Sequence, residues 1–141
     1  MNRLGVEPSV TGEARFLDWT IDGVALRTLV PAEQRTSLFL DDDRWRESAV
    51  ALLRRLLGRL PGDFDDGRVA LLVCPLCGDL GCGGYSVEVV FGDDVVEWRA
   101  FGWQTDYEPF DDPEEYRFTG ARFERKAYET LLRDLLSNYR A

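Results

Sequence analysis

Two segments of the chain repeat apolar residues at the period of an α-helix. The first ends before a Pro61-Gly62 pair, and the second begins near Glu124 and runs almost to the last residue. In both, the apolar positions recur three or four residues apart, which predicts amphipathic helices. These positions are Trp45, Ala49, Leu52, Leu53, Leu56, Leu57 and Leu60 in the first segment and Tyr128, Leu131, Leu132, Leu135, Leu136 and Tyr139 in the second.

Runs of strand length lie before and between the predicted helices. Phe16 to Ile21 and Val24 to Val30 flank Asp22-Gly23, a dipeptide that tolerates the positive φ angles of a tight hairpin turn. We therefore expect a first hairpin here. The run from Val69 to Cys74 is continuously apolar, which favours a central strand covered on both faces.

A second hairpin follows, because Gly92-Asp93-Asp94 separates the runs Tyr85 to Phe91 and Val95 to Phe101. The predicted order is β-β-α-β-β-β-α, with short turns between neighbouring strands. This order predicts an α+β fold, in which two hairpins and a central strand form a mainly antiparallel sheet with both helices packed on one face. No linker or repeat interrupts the sequence, so residues 1–141 are expected to form a single domain.

Charge and composition exclude several classes of function. The chain has 26 acidic and 17 basic residues, a net charge of −9, which disfavours binding to nucleic acid or to anionic membranes. Ten carboxylates and one arginine lie between Glu88 and Glu115, so this stretch carries the whole excess charge. Because the chain has no histidine, catalytic triads and metal sites that need imidazole are excluded.

The sequence also predicts a compartment. Residues 1–10 lack the apolar core of a signal peptide, and no apolar run approaches the roughly 20 residues of a membrane span. The three cysteines fall within nine residues of one another, at 74, 77 and 82, and do not form a framework of disulfides between distant elements. We therefore expect a cytoplasmic protein.

The loop from Cys74 to Gly84 carries the clearest chemical signal, and three interpretations of it stay open. Cys74 and Cys77 have the Cys-Pro-x-Cys spacing of a zinc knuckle and Cys82 supplies a third thiolate, although no fourth ligand is evident beyond a carboxylate such as Asp79. A redox dithiol is the second interpretation, which the many glycines disfavour because they prevent an activating helix. The third, which we prefer, is a tight glycine-rich connection with small buried cysteines.

An acidic aromatic segment follows the second hairpin, and we define the acidic aromatic surface as residues 98–115. Trp98 and Phe101 lie on the predicted strand, where they are expected to complete the core. Beyond the strand, aromatic rings alternate with carboxylates, a mixture typical of contact surfaces. The predicted binding residues are Trp103, Gln104, Asp106, Tyr107, Glu108, Asp111 and Asp112. The spacing of the carboxylates does not match a calcium-binding EF-hand loop.

These motifs resemble those of a family of small bacterial proteins, frequent in actinobacteria. The shared features are a Cys-Gly-Asp-Leu-Gly-Cys-Gly turn at 77–83, a Trp-x-x-Phe-Gly strand at 98–102, a Gln-x-x-Tyr-Glu segment at 104–108 and a closing helix around Tyr128. The resemblance covers about half of the chain, from Val69 onward. It implies no established activity, and the chain has no glycine-rich dinucleotide or phosphate loop that would support an oxidoreductase.

Together these observations favour a non-enzymatic domain that binds a protein partner through the acidic aromatic surface. A basic partner suits this surface, as in small acidic immunity proteins that neutralise basic nuclease toxins. No cofactor is expected on this interpretation. The alternative is a redox or zinc site at Cys74, Cys77 and Cys82, and a third class is an accessory subunit that pairs with itself.

Overall fold

A computed structural model describes residues 1–11, 14–29, 37, 46–64, 66–73, 84–104 and 120–140. These residues form seven strands and three helices in an α+β arrangement, which confirms the predicted fold class. The strands are β1 (Leu4–Thr11), β2 (Ala14–Ile21), β3 (Val24–Ala25), β4 (Val69–Val73), β5 (Gly84–Phe91), β6 (Val95–Gln104) and β7 (Gly120–Glu124). The helices are α1 (Leu26–Leu29), α2 (Arg46–Leu56) and α3 (Arg125–Arg140).

The strands form two antiparallel sheets, one of order β1-β2-β3 and one of order β4-β5-β6-β7. A parallel bridge between Asn2 and Phe123 joins them. At this junction the backbone N–H of Asn2 donates to the carbonyl of Arg122 at 2.7 Å, and its side-chain oxygen accepts from the Arg122 N–H at 2.9 Å. Asn2 therefore satisfies both backbone groups of Arg122 on the outer edge of β7.

The same asparagine fixes the first hairpin. Its Nδ2 donates to Asp22 Oδ2 at 2.7 Å, and the Arg3 backbone N–H donates to Asp22 Oδ1 at 2.8 Å. These two hydrogen bonds hold the pKa of Asp22 below its usual value. Asp22 and Gly23 both have positive φ angles, 55° and 82°, as the predicted tight turn requires.

Trp98 lies at the centre of one hydrophobic core that both sheets share. Its ring makes edge contacts with Trp19, Phe123 and Tyr128 at centroid distances of 5.7, 5.0 and 6.1 Å. The Trp98 indole N–H donates to the Tyr128 hydroxyl at 3.1 Å, which in turn donates to the Leu56 carbonyl at 2.7 Å. Burial raises the pKa of Tyr128, which therefore stays protonated and links β6, α3 and the end of α2.

Both predicted amphipathic helices are present, with a difference at the end of α2. The periodic pattern extends to Leu60, whereas α2 ends at Leu56. Gly58 has a φ of 76° and its N–H bonds to the Arg55 carbonyl, while the Arg59 N–H bonds to that of Arg54. This pair of bonds is a Schellman motif, which terminates the helix before the apolar pattern does.

Two strand predictions are corrected, and two strands were not predicted. Val24 to Val30 is not one strand, because β3 has two residues and the chain then enters α1, where the Thr28 hydroxyl donates to the Ala25 carbonyl at 2.7 Å. The run from Val69 is buried throughout but lies at the edge of its sheet, not at the centre. Strands β1 and β7 were not predicted.

Candidate functional site

Three strand termini meet at one end of the four-stranded sheet, which we call the sheet end. Val73, the last residue of β4, pairs with Gly84, the first residue of β5. Gly84 in turn pairs with Gln104, the last residue of β6. Residues 74–83 and 105–119 continue the chain from these termini. Both segments that the sequence singled out are therefore attached at the sheet end.

The three cysteines, Cys74, Cys77 and Cys82, lie outside the described residues. The pairing of Val73 with Gly84 nevertheless places the two residues that flank this segment next to each other on adjacent antiparallel strands. The chain thus returns within one strand spacing, about 5 Å, between Val73 and Gly84. Among the described residues, no group of three Cys, Asp or Glu side chains could hold a metal ion.

The predicted binding residues divide between the strand and the segment after it. Trp103 and Gln104 form the last two positions of β6, opposite Tyr85 and Gly84. Trp98 and Phe101 are completely buried, which confirms that they complete the core. The remaining predicted residues, Asp106, Tyr107, Glu108, Asp111 and Asp112, lie outside the described part of the chain.

Two β-bulges shape the strands on either side of β5. One falls in β4 between Ala70 and Leu72, and the other in β6 opposite Ser86 to Glu88. The second bulge contains Ala100, whose φ of 56° is unusual for a residue with a side chain. The extra residue shifts the alternation of β6 relative to β5.

A buried arginine holds the β6 bulge in place. The guanidinium of Arg68 donates to the Ser86 hydroxyl at 2.9 Å and to the Ser86 carbonyl at 3.0 Å, and it also bonds the Ala100 carbonyl. Arg68 is only 5% exposed, and burial lowers the pKa of its guanidinium, opposed by the charges of Asp66 and Glu88. Ser86 lies two residues from Gly84, so this arginine braces the strands about 7 Å from the sheet end.

The outer edge of β4 is closed by the loop before it. Asp63 Oδ2 accepts from the Ala70 N–H at 2.9 Å, and its Oδ1 lies 3.1 Å from Nη1 of Arg55. Burial is the main influence on Asp63 and raises the pKa of its carboxyl group, although the Ala70 bond and the charge of Arg55 oppose it. This carboxylate satisfies the outward N–H of Ala70, which an added strand would otherwise use.

A second buried ion pair lies on the three-stranded sheet. Asp18 is 1% exposed, and its Oδ2 accepts from Nε of Arg27 at 3.0 Å. Arg27 also donates to the Ser9 hydroxyl at 3.1 Å and lies over the ring of Phe16, 4.9 Å from its centroid. The pair attaches α1 to β2. Neither this pair nor Arg68 was predicted from the sequence, although Asp18 lies within an apolar run that becomes β2 and Arg68 lies directly before the run that becomes β4.

The excess negative charge is not gathered at one place. Asp93 and Asp94 lie in the exposed turn between β5 and β6, at the opposite end of the hairpin from Gly84. Strand β5 has eight residues, so this turn is about 23 Å from the sheet end. Glu97 lies on β6 between this turn and the sheet end. Its carboxylate oxygens lie 3.5 Å from Nε of Arg99 and 4.0 Å from Nε of Arg122. In the sequence, six carboxylates follow Gln104 before the next basic residue, Arg117.

Comparison with known proteins gives no match, whether to a protein-family model, a curated protein or a solved structure. In the described part of the chain, no helix is long and apolar enough to cross a membrane.

Proposed function

We propose that this chain is a protein-interaction domain that binds a basic partner through the acidic segment attached to the sheet end. The observation that carries the proposal is the strand register, because Val73, Gly84 and Gln104 are adjacent and both unusual segments begin or end there. A rigid sheet that presents a variable segment is a common arrangement for binding sites.

The charge of the segment defines the kind of partner. Residues 105–115 carry six carboxylates and no basic residue, with Tyr107 and Phe110 between them. Such a segment attracts a positively charged surface over roughly a Debye length, about 8 Å at physiological salt, and its aromatic rings supply apolar contact area. A basic protein fits this chemistry, and small acidic inhibitors of basic nucleases offer an analogy.

The described residues support a stable base for such a segment. Trp98 and Phe101 are buried in the core just before the end of β6, and Arg68 bonds the bulge between them. These contacts anchor the strand from which the acidic segment departs. Because β6 is already held in place before a partner binds, less conformational entropy is lost on binding.

The proposal can be tested with two sets of charge-neutralising variants. One variant combines Asp106→Asn, Glu108→Gln, Asp111→Asn and Asp112→Asn. The matched control combines Asp93→Asn and Asp94→Asn in the distant turn. Each tagged chain is used for affinity purification from a lysate of the source organism, followed by quantitative mass spectrometry. We expect a basic protein that the natural chain and the control retain and the first variant loses. Equal retention by all three, or no basic protein retained, would contradict the proposal.

A second candidate function is metal or thiol chemistry at Cys74, Cys77 and Cys82, and the same register favours it. Val73 and Gly84, which flank residues 74–83, are paired, and in the sequence Cys74 and Cys82 each lie within two residues of one of them. Three thiolates and one carboxylate or water would complete a tetrahedral zinc site. Elemental analysis of protein purified without added metal, together with thiol titration, tests this candidate. About one zinc per chain supports it, and three unreactive thiols without metal reject it.

A further inference from the structure

A groove of about 770 Å³ lies between the start of β1 and one face of α3. Arg3 and Leu4 line it on the strand side, while Lys126, Ala127, Leu131 and Asp134 line it along the helix. These four helical residues recur at the spacing of a single face. The groove is separate from the sheet end, so its role does not depend on the function proposed above.

The backbone of β1 has a definite hydrogen-bonding pattern. The Asp22 N–H donates to the Arg3 carbonyl at 2.8 Å, so Arg3 directs its carbonyl toward the first hairpin. Inward and outward residues alternate along an antiparallel strand. Asn2 accordingly faces outward, and its N–H bonds to the Arg122 carbonyl at 2.7 Å.

By the same alternation, Leu4, Val6 and Pro8 also face outward from β2. Among the residues that the structure describes, none forms a backbone hydrogen bond with the outward groups of Leu4 or Val6. Pro8 has no N–H and therefore limits any added strand at that point. The edge between residues 4 and 6 is thus complementary to the main chain of an extended peptide.

The charges along the groove indicate which peptide fits. Lys126 lies in the first turn of α3 and lines the groove together with Arg3 and Glu124. The other carboxylate at this end, Asp22, already accepts hydrogen bonds from Asn2 and from the Arg3 N–H. Asp134 lies eight residues further along the helix, about 12 Å away. Ala127 and Leu131 provide an apolar stretch between them. No salt bridge joins Lys126 or Asp134 to another described residue.

An extended peptide matches this spacing closely. In a strand, residues i, i+2 and i+4 share one face, and i to i+4 spans about 13 Å. We propose that the groove binds an extended peptide of the pattern acidic-x-apolar-x-basic, which adds to the outer edge of β1. The peptide runs parallel to β1, because the Asn2–Phe123 bridge is parallel and the peptide continues the path that β7 leaves at Arg125.

Two synthetic peptides of identical composition test the proposal. The probe is the capped peptide Thr-Asp-Thr-Val-Thr-Arg-Thr, and the control exchanges its aspartate and arginine. Each is titrated into the isotope-labelled full chain and followed by NMR. We expect saturable shifts of the Leu4, Val6 and Leu131 amides with the probe, which binds about fivefold more tightly than the control.

A charge-exchanged protein provides the decisive comparison. The double variant Lys126→Asp, Asp134→Lys is expected to remain folded, because both side chains are exposed and an aspartate in the first turn suits the dipole of α3. It should reverse the preference and bind the control peptide more tightly. The proposal is wrong if neither peptide causes saturable shifts at β1 and α3, or if the double variant keeps the original preference.

Discussion

Arg68 offers the sharpest test of how the sheet end is built. Replacing it with methionine keeps most of the aliphatic stem but removes the guanidinium. Three acceptors then lose this donor, namely the hydroxyl and carbonyl of Ser86 and the carbonyl of Ala100. The bulge in β6 thereby loses its bond to the residue that precedes β4.

The magnitude follows from two opposing effects. A buried acceptor left without its donor costs about 1–3 kcal/mol. Burial also lowers the pKa of Arg68, which shows that its charge is desolvated, so methionine recovers part of that penalty. We expect Arg68→Met to lower the free energy of unfolding by about 2–4 kcal/mol. Arg68→Lys should lower the free energy of unfolding by about half as much. An ammonium group keeps the charge but cannot make all the hydrogen bonds that the planar guanidinium makes to β5 and β6.

Urea unfolding followed by tryptophan fluorescence measures this loss, with the m-value checked for constancy. Arg99 is the matched control, since it lies on the same sheet but its side chain is 47% exposed. Arg99→Met should change stability by less than about 0.5 kcal/mol. Amide hydrogen exchange at Gly102 should accelerate only in the Arg68 variants. The reasoning is refuted if Arg68→Met costs no more than Arg99→Met or leaves exchange at Gly102 unchanged.

Three further predictions follow from the described contacts. Tyr128→Phe should lower the free energy of unfolding, measured with heat or urea, by about 2–3 kcal/mol, because it removes a hydroxyl that bonds both Trp98 and the Leu56 carbonyl. A loss below about 0.5 kcal/mol would contradict this. Asp63→Asn should lower the free energy of unfolding less than Asp63→Ala does, since the asparagine side-chain oxygen can still accept from the Ala70 N–H. The raised pKa of Asp63 means that folding disfavours its ionised form. The natural chain should therefore gain stability relative to Asp63→Asn as the pH falls from 7 toward 4. Equal dependence of stability on pH in the two proteins would refute the raised pKa. Ala100→Gly should be neutral or stabilising by up to about 1 kcal/mol, because glycine relieves the positive φ, and a clear loss of stability would show otherwise.

The sequence predicted those elements whose signal is local. The period of the apolar residues located α2 and α3, and glycine with aspartate marked both hairpin turns. Strand β1 also alternates, with Leu4, Val6 and Val10 on one face, but Pro8 weakens that signal. Strand β7 has only five residues, too few for a clear alternation.

The polar framework of the sheet end depends on long-range pairing and could not be predicted. Arg68 bonds Ser86 and Ala100, 18 and 32 residues further along the chain, and these partners are known only once the register is known. The edge position of β4 was missed for a related reason. Its residues are all buried, as in a central strand, and only the pairing of the strands shows that they lie at the edge of the sheet.

The candidate site was partly anticipated from the sequence. The cysteine loop and the acidic aromatic surface were identified separately, and the register adds that both are attached at the sheet end. The register also separates Asp93 and Asp94 from that end, which composition alone could not do. The charge that defines the proposed partner is therefore the run after Gln104.

The most direct measurement of the proposed interaction is the association rate of the purified basic partner with this chain at increasing salt. Electrostatic attraction to the segment after Gln104 should give a rate that falls steeply with ionic strength. Neutralising Asp106, Glu108, Asp111 and Asp112 should lower the rate by about tenfold at low salt and flatten this dependence. Neutralising Asp93 and Asp94 should leave the association rate and its salt dependence almost unchanged. The same salt dependence in both variants would contradict binding at the sheet end.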